Sequence, residues 1–199
     1  PYQQDAVGWK GKLGGSERWP TDLVLRSWQD HLAAVPWTIA LQQLNSVDSH
    51  DTARILSELG GNKRLSKLAA AVQFCFPGVP CVYYGDEIGL TDQEGFGSRA
   101  CMNWDESAWD MELFGFYQKL IALRKSSRAL AEGAFQILFG DDDTLIFQRV
   151  LGKERVLVCA NRSAEAAPAR ELALPQAGFA ADERFRGVLS GGQARAQNG

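Results

Sequence analysis

The chain has 199 residues, with 21 Lys+Arg against 24 Asp+Glu and therefore a formal net charge of −3. An apolar content of 45% is ordinary for a globular protein and excludes disorder over the whole length. The mild negative charge and the absence of Lys/Arg runs argue against nucleic acid or an anionic membrane as a partner. No apolar stretch approaches the roughly 18 residues of a membrane span.

Residues 1–20 carry scattered glycines with no apolar period, so we expect a loop there. Pro1–Asp5 does not resemble a signal peptide and contains no starting Met, and the chain is therefore expected to begin inside a longer polypeptide. A helix is predicted from Thr21, with Thr21 or Asp22 as its cap, and Pro36 ends it.

Two further helices are predicted, over Asn62–Phe76 and Asp110–Ser126, from apolar residues at helical spacing. Between them, the continuous apolar run Val79–Tyr84 has the pattern of a strand buried on both faces. The segment Leu41–Val47 is too polar to be assigned as a strand from its pattern alone.

The pattern changes near residue 130. Short β-type runs separated by turns follow, at Ala134–Leu138, Leu145–Leu151, Val156–Ala160 and Arg170–Leu174. We therefore predict helix–strand units over residues 1–130 and an antiparallel all-β domain over 131–199, with a flexible tail at 191–199.

Four cysteines, Cys75, Cys81, Cys101 and Cys159, form no CxxC pair, which disfavours a structural zinc site. Each stands beside apolar residues. We expect buried, reduced thiols in a cytoplasmic protein.

The segment Asp48–Arg54 is the candidate site, because two acids, a histidine and an arginine fall within it. A Ser-His-Asp triad is implausible, since adjacent residues cannot align for that relay. A metal site using Asp48, His50 and Asp51 has too little imidazole for a zinc hydrolase. Two interpretations remain open on these residues alone. In one, an aspartate and a histidine simply stabilise a turn. In the other, a carboxylate and an imidazole hold a sugar near a cationic transition state.

Four segments in the same order resemble regions of the α-amylase family of glycoside hydrolases: Asn45–Arg54, Pro77–Gly89, Arg99–Asp105 and Leu120–Leu130 followed by Gly133. Ser49 stands where many amylases have Asn, and Cys101 stands where many have Pro. Both departures resemble the group of cyclomaltodextrinases, neopullulanases and maltodextrin glucosidases.

The resemblance implies an α/β fold, namely the last β/α units of a (β/α)8 TIM barrel followed by a small all-β antiparallel sandwich. It implies retaining hydrolysis of α-1,4-glucosidic links in maltodextrins or cyclodextrins. Asp51 would be the carboxylate that stabilises the transition state. His50 and Arg54 would be substrate-binding residues, with Arg54 orienting carboxylates or a loop.

The family's nucleophile and acid/base, in motifs of the form R-x-D and E, do not occur in this chain. The resemblance therefore implies a piece that is inactive alone and completed by a missing barrel half or by self-association. The remaining alternatives are a glucosyltransferase or isomerase of the same superfamily and a non-catalytic carbohydrate-binding fragment.

No cofactor or metal is expected, since a solvated β-turn is the favoured interpretation of Asp141–Asp143 over a calcium ligand run. Asp86 and Glu87 follow one another in the chain and point in opposite directions. We expect them to anchor their loop, with Asp86 paired to a basic group, and not to act as a catalytic pair.

Overall fold

The computed structural model describes residues 19–164, 171–174, 176–189 and 191–196. Its helices are α1 (Thr21–Ala34), α2 (Trp37–Ala40), α3 (Ile55–Glu58), α4 (Lys63–Cys75), α5 (Met111–Ser126) and α6 (Arg128–Glu132). Its strands are β1 (Leu44–Asn45), β2 (Val79–Pro80), β3 (Ala134–Gly140), β4 (Thr144–Leu151), β5 (Glu154–Asn161), β6 (Arg184–Arg186) and β7 (Gln193–Arg195). The loop expected over 1–20 lies outside the described residues except for its last two.

The three long helices begin and end close to the predicted positions. Asn62 caps α4 by accepting a hydrogen bond from Leu65 N, and Asp110 caps α5 in the same way. The predicted cap of α1 is wrong. Pro20 is its N-cap residue, and the Thr21 hydroxyl instead donates to the carbonyl of Asp142, 2.9 Å away in the β3–β4 turn.

Strands β1 and β2 are parallel neighbours, with Leu44 opposite Val79. The chain passes from one to the other through α3 and α4, which makes a strand–helix–strand unit. The carboxyl ends of the two strands therefore lie together, and the loops that follow them form one surface.

The prediction of a long strand over Val79–Tyr84, buried on both faces, is wrong. Only Val79–Pro80 is strand, and Val79 is 43% exposed. Within the described residues β2 has a neighbour on one side only, so its other side is not covered. Beyond Pro80, one further backbone bond joins Cys81 N to Asn45 O at 2.8 Å.

Strands β3, β4 and β5 form an antiparallel sheet in chain order, as the sequence predicts for the three runs there. The turn between β3 and β4 is held by Asp141 Oδ1, which accepts hydrogen bonds from the backbone N–H groups of Asp143 and Thr144. These contacts make it an Asx-type turn.

The last predicted strand differs from the structure. Residues 171–174 are not strand, and residue 170 lies outside the described part. The pair β6–β7 forms a separate antiparallel sheet, so three residues of the tail expected to be flexible are in a strand. An Arg195–Asp182 ion pair of 2.6 Å and backbone pairing to β6 hold that strand.

One hydrophobic core joins the helical region to the antiparallel sheet. It contains Trp28 from α1 and Cys75 from α4 together with residues that follow residue 129, namely Leu130, Phe147 and Val158. Trp28 also contacts Phe147 edge-on, with ring centroids 6.2 Å apart. The predicted boundary near residue 130 is therefore crossed by continuous packing.

Of the four cysteines, Cys75 alone is buried, so the prediction of four buried thiols is wrong for the other three. Cys159 shows why. It lies in β5 between two buried residues, Val158 and Ala160, and the pleat directs it to the opposite, exposed face. Apolar neighbours in a strand therefore do not indicate a buried side chain.

Candidate active site

His50 and Asp51 follow β1 in a tight turn. The turn is closed by a hydrogen bond from Thr52 N to Ser49 O and by one from Ser49 N to the Thr52 hydroxyl. The side chains of His50 and Asp51 are 63% and 68% exposed, and His50 Nε2 lies 3.2 Å from Asp51 Oδ2. The structure thus places the two residues side by side at the carboxyl ends of the strands, facing solvent.

Arg99 is the residue that the sequence interpretation left without a role. Its Nη2 lies 2.9 Å from Asp51 Oδ1, and its Nε donates to the carbonyl of His50. The Ser98 hydroxyl donates to that same carbonyl at 3.3 Å. The sequence did single out Arg99, because it is the first residue of the Arg99–Asp105 motif. Only the fold, however, brings this loop onto the turn after β1.

Arg54 lies beneath this turn, and its side chain has 0% exposure. Its Nη1 donates to Tyr84 O at 2.7 Å and lies 3.4 Å from Asp86 Oδ1. The guanidinium also stacks on the rings of Tyr83 and Tyr84, 4.7 and 4.8 Å from their centroids. Arg54 was expected among the substrate-binding residues, but a side chain without exposed surface cannot contact a sugar. In this structure it joins the turn to the loop after β2.

Two buried carboxyl groups accompany Arg54. Asp48 Oδ2 accepts a hydrogen bond of 2.7 Å from Ile55 N, and Asp86 Oδ1 accepts one of 3.4 Å from Arg54 Nη1, the basic partner that the sequence predicted for this loop anchor. Glu87 anchors the same loop by accepting from Gly85 N. Burial, followed by the charge of Asp48, raises the pKa of Asp86 to about 9.

Several aromatic residues lie in the segment that follows β2. The hydroxyl of Tyr83 donates to Ser98 O and that of Tyr84 to Ala100 O, which fixes the Arg99 loop against the loop after β2. Phe96 and Trp104 are 69% and 78% exposed, so their rings are available for stacking on a ligand.

The described residues contain no group of three or more His, Cys, Asp and Glu side chains arranged to hold a metal ion. Nor does any helix among them have the length and apolar character needed to cross a membrane.

Comparison with known proteins gives the arrangement a context. Residues 16–110 match the model of the alpha-amylase catalytic domain. The chain is 42% identical over 132 residues to a cyclomaltodextrinase from Bacillus sp, covering 65% of this chain and 24% of that protein. It is 36% identical over 117 residues to an intracellular maltogenic amylase of Bacillus subtilis (strain 168), covering 57% and 20%.

Among solved structures, the maltogenic amylase from S. marinus superimposes with a TM-score of 0.77 at 26% identity, over 98% of this chain and 26% of that one. The chain thus spans about a quarter of the length of the relatives it matches. Sequence and structure agree in their likeness to the α-amylase family, and the relatives that the chain matches include cyclomaltodextrinases, a neopullulanase and maltogenic amylases.

Proposed function

We propose that this chain is the C-terminal part of a retaining glycoside hydrolase that acts on α-1,4-glucosidic links of maltodextrins or cyclodextrins. In this proposal β1 and β2 are the last two strands of a (β/α)8 barrel within residues 1–130, and residues 131–199 form the following β-sandwich domain. The observation that carries the proposal is the exposed pair of His50 and Asp51 at the carboxyl end of β1, where such barrels carry their active sites.

Asp51 has the chemistry of a transition-state stabiliser. Cleavage of a glucosidic bond passes through an oxocarbenium-like state in which positive charge develops on the sugar. A carboxylate held beside that charge binds the transition state more strongly than the ground state, and therefore raises the rate. His50, adjacent to it, supplies an imidazole for a sugar hydroxyl.

The chain by itself lacks the rest of the reaction machinery. Retaining hydrolysis needs a nucleophilic carboxylate and an acid/base carboxylate about 5–5.5 Å apart. The motif R-x-D, in which the family carries its nucleophile, is absent from the 199 residues. Because these groups act as a unit, the chain alone is expected to be inactive.

Exposed apolar side chains at β1 and β2 support the same proposal. Leu44 and Val79 are 64% and 43% exposed, and Ile39 in α2 is 50% exposed. Apolar side chains at these positions are covered in a closed barrel. The missing barrel half, or a second copy of the chain, would cover them. The intracellular relative supports a cytoplasmic location.

The test is to assay the purified chain, and a longer polypeptide that adds the upstream R-x-D and Glu motifs, on maltoheptaose and β-cyclodextrin. We expect turnover from the longer polypeptide only. Turnover by the 199-residue chain comparable to that of the longer one would overturn the assignment of residues.

The same experiment separates the alternatives. Product analysis with maltose as acceptor distinguishes hydrolysis from glucosyl transfer. Binding of maltoheptaose without turnover in either polypeptide would identify a non-catalytic carbohydrate-binding protein. The mass of the chain in solution tests the open edge, and a stable monomer would contradict self-association.

A further inference from the structure

Asp48, Arg54 and Asp86 form a buried charged cluster under the exposed turn. Asp48 and Arg54 flank the segment that carries His50 and Asp51, while Asp86 lies in the loop after β2. Asp48 and Asp86 have 4% of their surface exposed and Arg54 has none. The cluster therefore connects the two loops from a buried position.

The hydrogen bonds of the described residues leave four buried polar atoms of the cluster without a partner, two of them nitrogens of Arg54 (Nε and Nη2) and two of them carboxyl oxygens. Asp48 Oδ1 and Asp86 Oδ2 are buried, and no N–H or hydroxyl group of the described residues reaches either of them. The two carboxyl groups interact all the same, since the charge of Asp48 raises the pKa of Asp86. Two ionised carboxylates have only acceptor atoms, so a hydrogen bond between them requires a proton on one of them.

The charge balance of the cluster also favours a proton on one of the two carboxyl groups. Two ionised carboxylates against one guanidinium would leave a net negative charge in a buried place, which is strongly unfavourable. Other acids nearby increase the cost, since Glu87 acts on Asp86 and Asp92 acts on Asp48. A single proton on the pair reduces the cluster to one negative and one positive charge.

We propose that Asp48 and Asp86 share one proton at neutral pH, and that the resulting neutral cluster with Arg54 positions the turn bearing His50 and Asp51 against the loop after β2. The importance of that positioning for catalysis rests on the proposed function. The shared proton does not depend on it and is tested without a sugar.

The ionisation of the neighbouring groups agrees with this proton. Burial raises the pKa of both aspartates, and for Asp86 the charge of Asp48 raises it further, whereas Arg54 opposes the rise in each. Tyr117 faces the pair from α5, and its own pKa is raised by burial and by both aspartates, so it stays neutral. The proton therefore lies mainly on Asp86, which donates to Asp48.

The shared proton makes stability depend on pH in a stated direction. An aspartate in the unfolded chain has a pKa of about 3.9, whereas Asp86 in the folded chain has a pKa of about 9. Between these values the folded state holds a proton that the unfolded state has released. Stability then falls as pH rises, with the folding equilibrium constant changing by up to about tenfold per pH unit.

The experiment is urea unfolding of the 199-residue chain from about pH 5 to about pH 9, comparing wild type with Asp86→Asn. The asparagine amide donates to Asp48 as the protonated acid does, but cannot titrate. We expect the stability of wild type to fall relative to that of the variant as pH rises. Parallel curves for the two proteins would overturn the proposal.

Asp48→Asn provides a second variant if the first does not fold, because it too leaves a single carboxylate with an amide donor. The double variant leaves Arg54 without a counter-charge, so we expect a loss of stability greater than the sum of the single changes. An additive result would contradict the cluster as a unit.

Carboxyl ¹³C NMR of the wild-type chain decides the matter independently of any variant. One of the two buried aspartates should remain protonated at neutral pH, and titration of both near pH 4 would overturn the proposal.

The positioning of the turn that bears His50 and Asp51 is tested by a separate measurement. The amide resonances of His50 and Asp51 should be retained in Asp86→Asn and shifted in Asp86→Ala. Retention in both variants would refute the positioning role.

Discussion

Arg99 holds Asp51 and the backbone of its neighbour at the same time. One nitrogen of the guanidinium lies 2.9 Å from Asp51 Oδ1, while Nε donates to the carbonyl of His50, also at 2.9 Å. The two side chains are 64% and 68% exposed, so their attraction is screened by water and contributes roughly 0–1 kcal/mol. The effect of Arg99 on the site is therefore on geometry more than on stability.

Arg99→Ala should lower turnover of the catalytically active polypeptide by about tenfold or more, because a displacement of about 1 Å at a reacting group is that costly. The free energy of unfolding should change by less than about 1 kcal/mol. Steady-state kinetics and urea unfolding measure the two effects. Arg26→Ala, at the exposed pair with Asp22, is the matched control and should leave turnover unchanged. Equal kinetics for both variants would contradict the positioning of Asp51 by Arg99.

Asp51→Asn should reduce kcat by on the order of 10²–10³-fold in the active polypeptide, with a much smaller effect on the Kd for maltoheptaose. The carboxylate acts on charge that develops only in the transition state, whereas the amide retains the hydrogen bonds to the ground-state sugar. Kinetics and calorimetric binding separate the two quantities. Unchanged turnover in a folded variant would remove Asp51 from the mechanism.

Thiol titration should find about three reactive cysteines in the native chain and all four after denaturation. Cys81, Cys101 and Cys159 have exposed surface, although partial burial raises the pKa of Cys159 and slows its reaction, whereas burial raises the pKa of Cys75 to about 11 and suppresses its thiolate. A count of two or none in denaturant without reductant would reveal disulfides. That result would contradict the proposed cytoplasmic location.

Gly78→Ala should destabilise the chain by about 1–3 kcal/mol. Gly78 has φ +119°, and a Cβ there would lie 2.6 Å from the backbone oxygen of Gln43, which belongs to the segment leading into β1. Gly115 in α5 is the control, because nothing lies within 4 Å of the position of its Cβ. Gly115→Ala should stabilise the helix by about 0.5–1 kcal/mol. Urea unfolding measures both substitutions. Equal effects would contradict a steric and conformational requirement for glycine at position 78.

Much of the fold could be predicted because the signals are local. Asn62 and Asp110 cap their helices, Pro36 ends the first one, and the alternation after residue 130 marks three strands of one sheet. Such signals depend on backbone geometry and on neighbours within a few residues, which the sequence displays directly. The pairing of Asp86 with a basic group was likewise expected, because Asp86 was interpreted as an anchor of its loop.

The features that the sequence could not show depend on where distant segments meet. Val79–Tyr84 has the composition of a fully buried strand, yet β2 is short and partly exposed, because burial depends on which neighbours cover it and not on its own side chains.

The contacts of the charged groups around the turn also depend on segments that are distant in the sequence. Arg99 and Asp51 are 48 residues apart, and Arg54 and Asp86 are 32 apart. By sequence alone, the chain determined its three long helices, the three strands of its larger antiparallel sheet and the identity of the acid and imidazole after β1. Only the tertiary structure decided that Arg54 is buried beneath them, that Arg99 holds them, and that two aspartates are buried together, since desolvation and charge pairing arise from proximity in space.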